Sequence, residues 1–376
     1  MKKVFLVISI GILFLCVFFL YSLKPENTID QEIVDKDQIT LWLYSPELIE
    51  LTNQFEKESP TVKVITKLVK NPNTLVEELY AAQSAGNPPD YAEIPSWYGI
   101  FPLIESGAII PVTDYLSPEY EAELPIAIKK RFQYADALWA MPISYEVPLL
   151  FVNEALLSQS KLTVDELDRL PAVFELSNNL LSTSPNHKLK WSMNADNLYP
   201  WYLMNIEAQS SVTTASALIE DNEAFLFHQN HLALTEFVNG EGGILLSSSN
   251  KLQLIEKLIG NKFKWQVMPF PIDADKLIPN GNGLVIFKKS EQPTDYMKQF
   301  LHYIQEDEQL KAFALASSAI PANRKLIQNK SYQSYYRHFP YYQKIVLESL
   351  EAHGRLLDSG DEAEWKQYIY ANEHRE

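Results

Sequence analysis

Ala82-Gln83-Ser84-Ala85-Gly86-Asn87-Pro88-Pro89-Asp90 is the stretch whose reading decides the fold. Upstream of it, Leu75, Leu79 and Ala82 recur at helical spacing. Gly86 suits the position just past a helix where φ is positive, and Pro88-Pro89 forbid the helix to continue. The turn therefore delivers the chain sharply into the short apolar run Tyr91 to Ile94. Taken alone it reads equally as an ordinary helix-to-strand connection and as the mark of one particular architecture, so its surroundings must decide.

Outward from the turn the pattern alternates. Ile39 to Tyr44 reads as a buried strand, Pro46 to Glu58 as a helix opened by a Ser45 cap, Val62 to Val69 as a second strand, and residues 74–85 as the helix that the turn closes. Beyond it come the strand Tyr91 to Ile94 and a helix from Tyr98 to Ser106 ended by Gly107. Such units predict an α/β fold with a parallel sheet covered by helices, and ligands bind such sheets at the carboxyl ends of strands.

The chain has 376 residues, 46% hydrophobic and 21% charged, which is the composition of a globular protein. Single cores stop growing near ~250–300 residues, so two cores are expected. Lys plus Arg total 32 against 48 for Asp plus Glu, a net charge of -16. That balance excludes a phosphate-neutralising nucleic-acid surface.

Met1-Lys2-Lys3 precede an uncharged apolar stretch from Val4 to Leu23, a length close to that of a membrane-spanning helix, and the two lysines direct the rest of the chain outward. The single cysteine, Cys16, follows bulky Leu15 where a lipoprotein signal needs a small residue, and no small-x-small cleavage site follows. A retained anchor over residues 1–24 is the expectation, with cleavage or lipidation at Cys16 as alternatives. Residues 25–37, polar and acidic, suit a flexible tether. With no other cysteine, the exported part holds no disulfide.

Several ordered motifs then accumulate. They run from Trp42 through Phe55-Glu56-Lys57-Glu58-Ser59-Pro60 and Val62-Lys63-Val64 to the Gly86–Asp90 turn. Gly107-Ala108-Ile109-Ile110-Pro111-Val112-Thr113-Asp114-Tyr115 comes next, followed by Ala137-Leu138-Trp139-Ala140-Met141-Pro142 and Leu149-Leu150-Phe151-Val152-Asn153-Glu154. The last is Ala319-Ile320-Pro321-Ala322-Asn323-Arg324-Lys325. In order and spacing this resembles the carbohydrate-type extracellular solute-binding proteins of ABC importers, over nearly the whole exported chain.

The resemblance implies a two-lobe, periplasmic-binding-protein-like clamp of the type II kind. Lobe one would hold residues 38–146 and 268–318, lobe two 149–265 and 322–376, with crossings near Glu146 to Pro148, Trp265 to Pro269 and Ala319 to Ala322. Few connections then cross the cleft, which permits hinge closure. Loops at strand ends would line it: Tyr44, Ser45 and Glu47 after the first strand, and Ser96, Trp97 and Tyr98 after the strand at 91–94. Flat aromatic faces suit the apolar face of a sugar ring, and Trp97 is the first choice, with core packing as its other reading.

Glu146 falls where the family often has an acidic ligand contact, and a carboxylate there could accept two hydroxyl hydrogen bonds. Tyr199 and Trp201 occupy the place of a cleft-facing aromatic helix start, or belong to the second core. Asn280-Gly281-Asn282-Gly283 corresponds to a glycine-rich lead into a strand that permits close backbone approach to a ligand, or is simply a tight turn. One departure stands out: where the family has G-G-x-W, this chain runs Gly243-Ile244-Leu245-Leu246-Ser247-Ser248-Ser249-Asn250, so a stacking tryptophan is missing and Ser248 offers a hydroxyl instead.

No G-x-S-x-G elbow, no H-E-x-x-H and no free cysteine outside the apolar segment point to catalysis, and His228-x-x-His231 reads as helix surface. The expectation is a non-enzymatic, cofactor-free, monomeric protein. It would capture a small solute, first of all a carbohydrate, for a membrane permease. The alternatives are a polyamine or other cation, suggested by Glu47, Glu93 and Glu146, and a membrane-tethered sensor clamp that no longer serves transport.

Overall fold

A computed structural model describes residues 37–155, 169–183, 189–209, 225–226, 230–289, 292–335 and 340–373. The N-terminal apolar run with Cys16, the tether up to residue 36 and His228 lie outside the described residues. Residues Gln38–Glu376 form one compact unit, which carries the sheets and helices.

Its strands, in chain order, are β1 (Asp37–Leu43), β2 (Val62–Leu68), β3 (Tyr91–Pro95), β4 (Ile109–Ile110), β5 (Gln133–Tyr134), β6 (Ala137–Leu138) and β7 (Met141–Glu146). There follow β8 (Pro148–Asn153), β9 (Trp191–Ala195), β10 (Phe225–Leu226), β11 (Gly242–Ser248), β12 (Trp265–Pro269), β13 (Asn280–Phe287) and β14 (Ile320–Pro321). A seven-stranded sheet runs β14-β7-β13-β3-β1-β2 with β4 on β13, a five-stranded sheet runs β10-β9-β11-β8-β12, and β5 pairs with β6 in a small hairpin.

The turn at residues 82–90 sets the first sheet. The helix Pro72–Ser84 ends with Gly86 at φ +71°, where Gly86 N donates to Gln83 O and Asn87 N to Ala82 O, both at 3.0 Å. These two bonds satisfy carbonyls that the helix end would leave open. Asp90 then fastens three strands. Its N–H donates to Thr40 O, its carboxylate accepts from Thr40 N and Oγ1 at 2.7 Å each, and Lys289 reaches it at 2.9 Å. Leu41 thus pairs with Tyr91 in parallel, and Ala92 with Val285 antiparallel.

Alternation drives the core. Ile39, Leu41 and Leu43 of β1 are all at most 1% exposed. Phe55, from the helix Pro46–Glu58, meets Phe300 edge-on at 5.1 Å, and Phe300 meets Tyr91 at 5.5 Å. Each such buried ring contributes about 1.5–3 kcal/mol. In the second sheet Leu149 to Val152 are fully buried on the interior strand β8, whose two neighbours β11 and β12 cover both its edges.

Five expectations need correction. The sheets are mixed: β13, which follows β12 without a helix between them, runs antiparallel to both β3 and β7, and β8 runs antiparallel to both β11 and β12. Ser45 stands at the helix start but makes no side-chain cap, because its hydroxyl is spent on Glu93. The helix expected from Tyr98 begins at Ile100, since Gly99 at φ +90° turns the chain first and leaves Trp97 and Tyr98 in the loop. Asn280 to Gly283 lie inside β13 rather than in a turn ahead of it, and Trp265 to Pro269 are β12, so the chain leaves the second sheet through residues 270–279.

Among the described residues no helix is long and apolar enough to cross a membrane, and no group of three or more His, Cys, Asp or Glu could hold a metal ion.

Candidate functional site

The carboxyl ends of β1, β3 and β7 and the start of β13 meet the carboxyl ends of β9 and β11. Polar side chains gather there.

Glu93, wholly buried on β3, organises the first side. Its Oε2 accepts from Tyr44 N and Ser45 N, both at 2.8 Å, and its Oε1 accepts from the Ser45 hydroxyl and from Asn282 Nδ2 at 2.6 Å. Asn282 Oδ1 accepts in turn from Ser144 Oγ at 2.7 Å, so one chain of bonds runs from the loop after β1 to β7. Burial pushes the Glu93 carboxyl up, while its hydrogen bonds pull it back.

The glycines beside it answer a packing need. A Cβ on Gly281 would stand 2.6 Å from Ile128 Cδ1 and 2.7 Å from Ser144 O, so what approaches this backbone closely is the helix Ile126–Phe132 and β7.

Trp97 is 2% exposed. Its Nε1–H donates to Asn280 Oδ1 at 2.5 Å, and its face lies on Trp365 from the helix Asp361–Glu373, 3.7 Å away at 15°. Tyr98, 4% exposed, lies beside both rings. Ser96 is turned into β13, its N–H bound to Gly281 O and its hydroxyl to Pro279 O, each at 2.9 Å. Glu47 sits in the first turn of its helix and is half-buried.

The second side is built on Asp196, just past β9. Its Oδ1 accepts from Leu198 N (2.9 Å) and the Tyr202 hydroxyl (3.1 Å), and its Oδ2 from Ser247 Oγ (2.6 Å). Trp201 is wholly buried in the helix Tyr199–Gln209, its Nε1–H donating to Ile278 O at 2.6 Å. Asn205 holds both backbone groups of Ile278, at 2.9 and 3.0 Å, so the crossing at 270–279 is pinned to this helix. Tyr199 is half-buried against the core.

Glu146 joins the sides where β7 gives way to β8. Val147 O accepts from Ser249 N, and Val147 N donates to Ser249 Oγ. Asn250 Nδ2 donates to Glu146 Oε1 at 2.6 Å, and Ser248 Oγ holds Asn250 Oδ1 at 2.5 Å. Glu146 Oε2 is buried and accepts no hydrogen bond of full geometry among the described residues. Burial pushes this carboxyl up and the Asp196 charge adds to that, while Ser248, Lys251 and Asn280 oppose it. Tyr44 feels both Glu93 and Glu146, and Tyr202 both Asp196 and Glu146, so the three carboxylates and two phenols form one electrostatic cluster.

The structure thus brings together Tyr44, Ser45, Glu146, Ser248, Asn280 and Asn282, and directs Trp97 and Trp201 into packing contacts of the chain's own. Sequence reasoning did not select Asp196, Tyr202, Asn250 or Trp365. The polar run from Ser247 to Asn250 at a strand end was the available signal for Asn250; nothing local marks Trp365.

No curated protein matches this chain in sequence. Among solved structures, it is similar to UgpB from Mycobacterium tuberculosis in complex with glycerophosphocholine, at TM-score 0.71 and 18% identity over 89% of this chain and 92% of that one. It is also similar to the ABC substrate-binding protein Lmo0181 from Listeria monocytogenes in complex with cycloalternan, at TM-score 0.66 and 18% identity over 90% and 92%. The maltose/maltodextrin-binding domain MalE from Bdellovibrio bacteriovorus bound to maltotriose aligns at TM-score 0.66 and 14% identity over 90% and 94%. At such identities these likenesses bear on the fold alone. The family described as bacterial extracellular solute-binding protein matches residues 50–340, most of the chain, and the protein belongs to that family.

Proposed function

We propose that this protein is the solute-capturing component of an ABC importer, and that it holds a small polyhydroxylated solute, a carbohydrate first of all, between its two sheets for delivery to a permease. Residues 38–146 with 280–321, which carry the seven-stranded sheet, would form one lobe and 148–269, which carry the five-stranded sheet, the other, closing by hinge rotation about the crossings. The observation that carries this reading is the free, buried Oε2 of Glu146, at the junction of the two sheets and framed by Tyr44, Ser248, Asn250 and Asn280. A carboxylate oxygen so placed can accept from a sugar hydroxyl.

The solutes seen in the similar proteins, maltotriose and cycloalternan among them, support the carbohydrate class. The chain would act as a monomer without a cofactor, held at the outer membrane surface by Val4 to Leu23 behind Lys2-Lys3.

The concentration of Glu93, Glu146 and Asp196, with Lys251 acting on the last two, favours a second reading, a cationic solute such as a polyamine. Glu93 weakens it, because four donors already use that carboxylate. A thermal-shift comparison of maltotriose, glycerophosphocholine and spermidine separates the classes, since a solute that binds only the folded state raises its melting temperature. A rise with maltotriose supports the first reading. A rise with spermidine alone overturns it.

A further inference from the structure

We infer that the C-terminal segment from Gly354 to Tyr368 is an internal clasp that bridges the two halves of the molecule and occupies the face of Trp97 until a solute displaces it. This rests on the reading of the groove between the sheets as the solute site.

The segment is anchored on the side of the seven-stranded sheet through a wholly buried arginine. Arg131 spends its donors on Ser96 O (3.2 Å), Leu356 O (2.8 Å) and Asp361 Oδ2 (2.5 Å). The backbone follows: Leu357 N donates to Lys130 O, Arg355 N to Leu277 O, and Gly354 N to Ala274 O. Gly354 passes so near the helix Ile126–Phe132 that a Cβ on it would stand 2.8 Å from Ala127 Cα. Beyond Asp361 the helix reaches the other side, where the Tyr368 hydroxyl donates to Glu207 of the helix Tyr199–Gln209.

Trp365 lies between these anchors. It stacks on Trp97 at 3.7 Å, and Lys366 Nζ sits 5.7 Å over Tyr98. Contact at that distance leaves no room for a third ring between the indoles, so a solute that used the Trp97 face would have to replace Trp365.

The seat is imperfect as a permanent core. Trp365 Nε1, Glu364 Oε1 and Arg355 Nε are buried without hydrogen-bond partners among the described residues, and each unpaired group weakens the docked state relative to one open to water. A segment held more firmly at Asp361 than at Tyr368, and poorly satisfied at the aromatic residue between them, is built to release from Trp365 onward.

The test uses the full chain with Cys16→Ser, spin-labelled at Glu119→Cys on the first side and Lys257→Cys on the second, both exposed. Without any solute, Trp365→Ala should lengthen and broaden the inter-label distance, while Tyr368→Phe, which removes one hydroxyl, should do so less. A folded Trp365→Ala chain with an unchanged distance distribution overturns the clasp. If Trp365→Ala does not fold, Tyr368→Phe decides in the same terms.

The stacked indoles should also give an exciton signal in circular dichroism. Bound maltotriose should abolish that signal, and Trp365→Ala should bind maltotriose up to about tenfold tighter, the scale of one aromatic contact. Maltotriose that raises the melting temperature yet leaves the exciton signal intact overturns displacement. Failure of maltotriose to bind counts against the carbohydrate reading, while the label distances still decide the clasp.

Discussion

Glu93 and Glu146 are carboxylates on neighbouring parts of one sheet, and the chain finishes them differently. Glu93 receives four hydrogen bonds, two from backbone N–H groups and two from side chains, and every one ties a strand or loop in place. Glu146 receives one of full geometry among the described residues, from Asn250 across the junction with the other sheet, with Ser248 and Asn280 close enough to stabilise its charge, and its Oε2 has no such partner there. Both are pushed upward in pKa by burial. The difference teaches that burial and charge alone do not mark a site: a saturated carboxylate is scaffold, and a half-satisfied one at the junction of two sheets is available for a ligand.

The largest effect expected from this contrast is on stability. Glu93→Ala leaves four donors, one buried and three part-buried, without a partner and should cost about 3 kcal/mol, read by urea unfolding. Glu146→Gln keeps an acceptor for Asn250 and should stay within about 1 kcal/mol of the parent in the same assay. A Glu146→Gln chain as damaged as Glu93→Ala would erase the distinction.

A smaller effect is on pH dependence. A carboxylate whose folded pKa lies above its unfolded value holds its proton more tightly when folded. Its group is therefore least costly to the fold below the unfolded pKa, near about 4–4.5, and stability falls as pH rises through the elevated folded value. Glu93, Glu146 and Asp196 share this direction, so the melting temperature should decline from mildly acid toward neutral pH, and Glu146→Gln should make that decline shallower. An unaltered profile would mean that Glu146 does not titrate in this way. The smallest effect belongs to Ser45→Ala, which removes one of the four donors to Glu93 and should cost about 1 kcal/mol without changing solute binding.

Much of the fold was legible in the chain. Gly86 and the two prolines announce a helix stop that the bonds from Gly86 and Asn87 realise, and the Pro46 to Glu58 helix has the boundaries its pattern indicates. What local pattern could not carry is partnership across long separations. Trp97 looks like an open aromatic platform until Trp365, far along the chain, is laid on it. Trp201 looks like a cleft aromatic until Ile278 takes its indole N–H. Glu93 and Glu146 are equivalent letters whose roles separate only once Asn282 and Asn250 are placed.

The most direct test is the maltotriose-induced rise in melting temperature, measured side by side for the parent chain, a milder Glu93→Gln variant and Glu146→Gln. The account predicts a Glu93→Gln chain that melts earlier but keeps the full rise, and a Glu146→Gln chain that melts as the parent does but loses it. A Glu146→Gln chain that keeps the full rise would contradict the account.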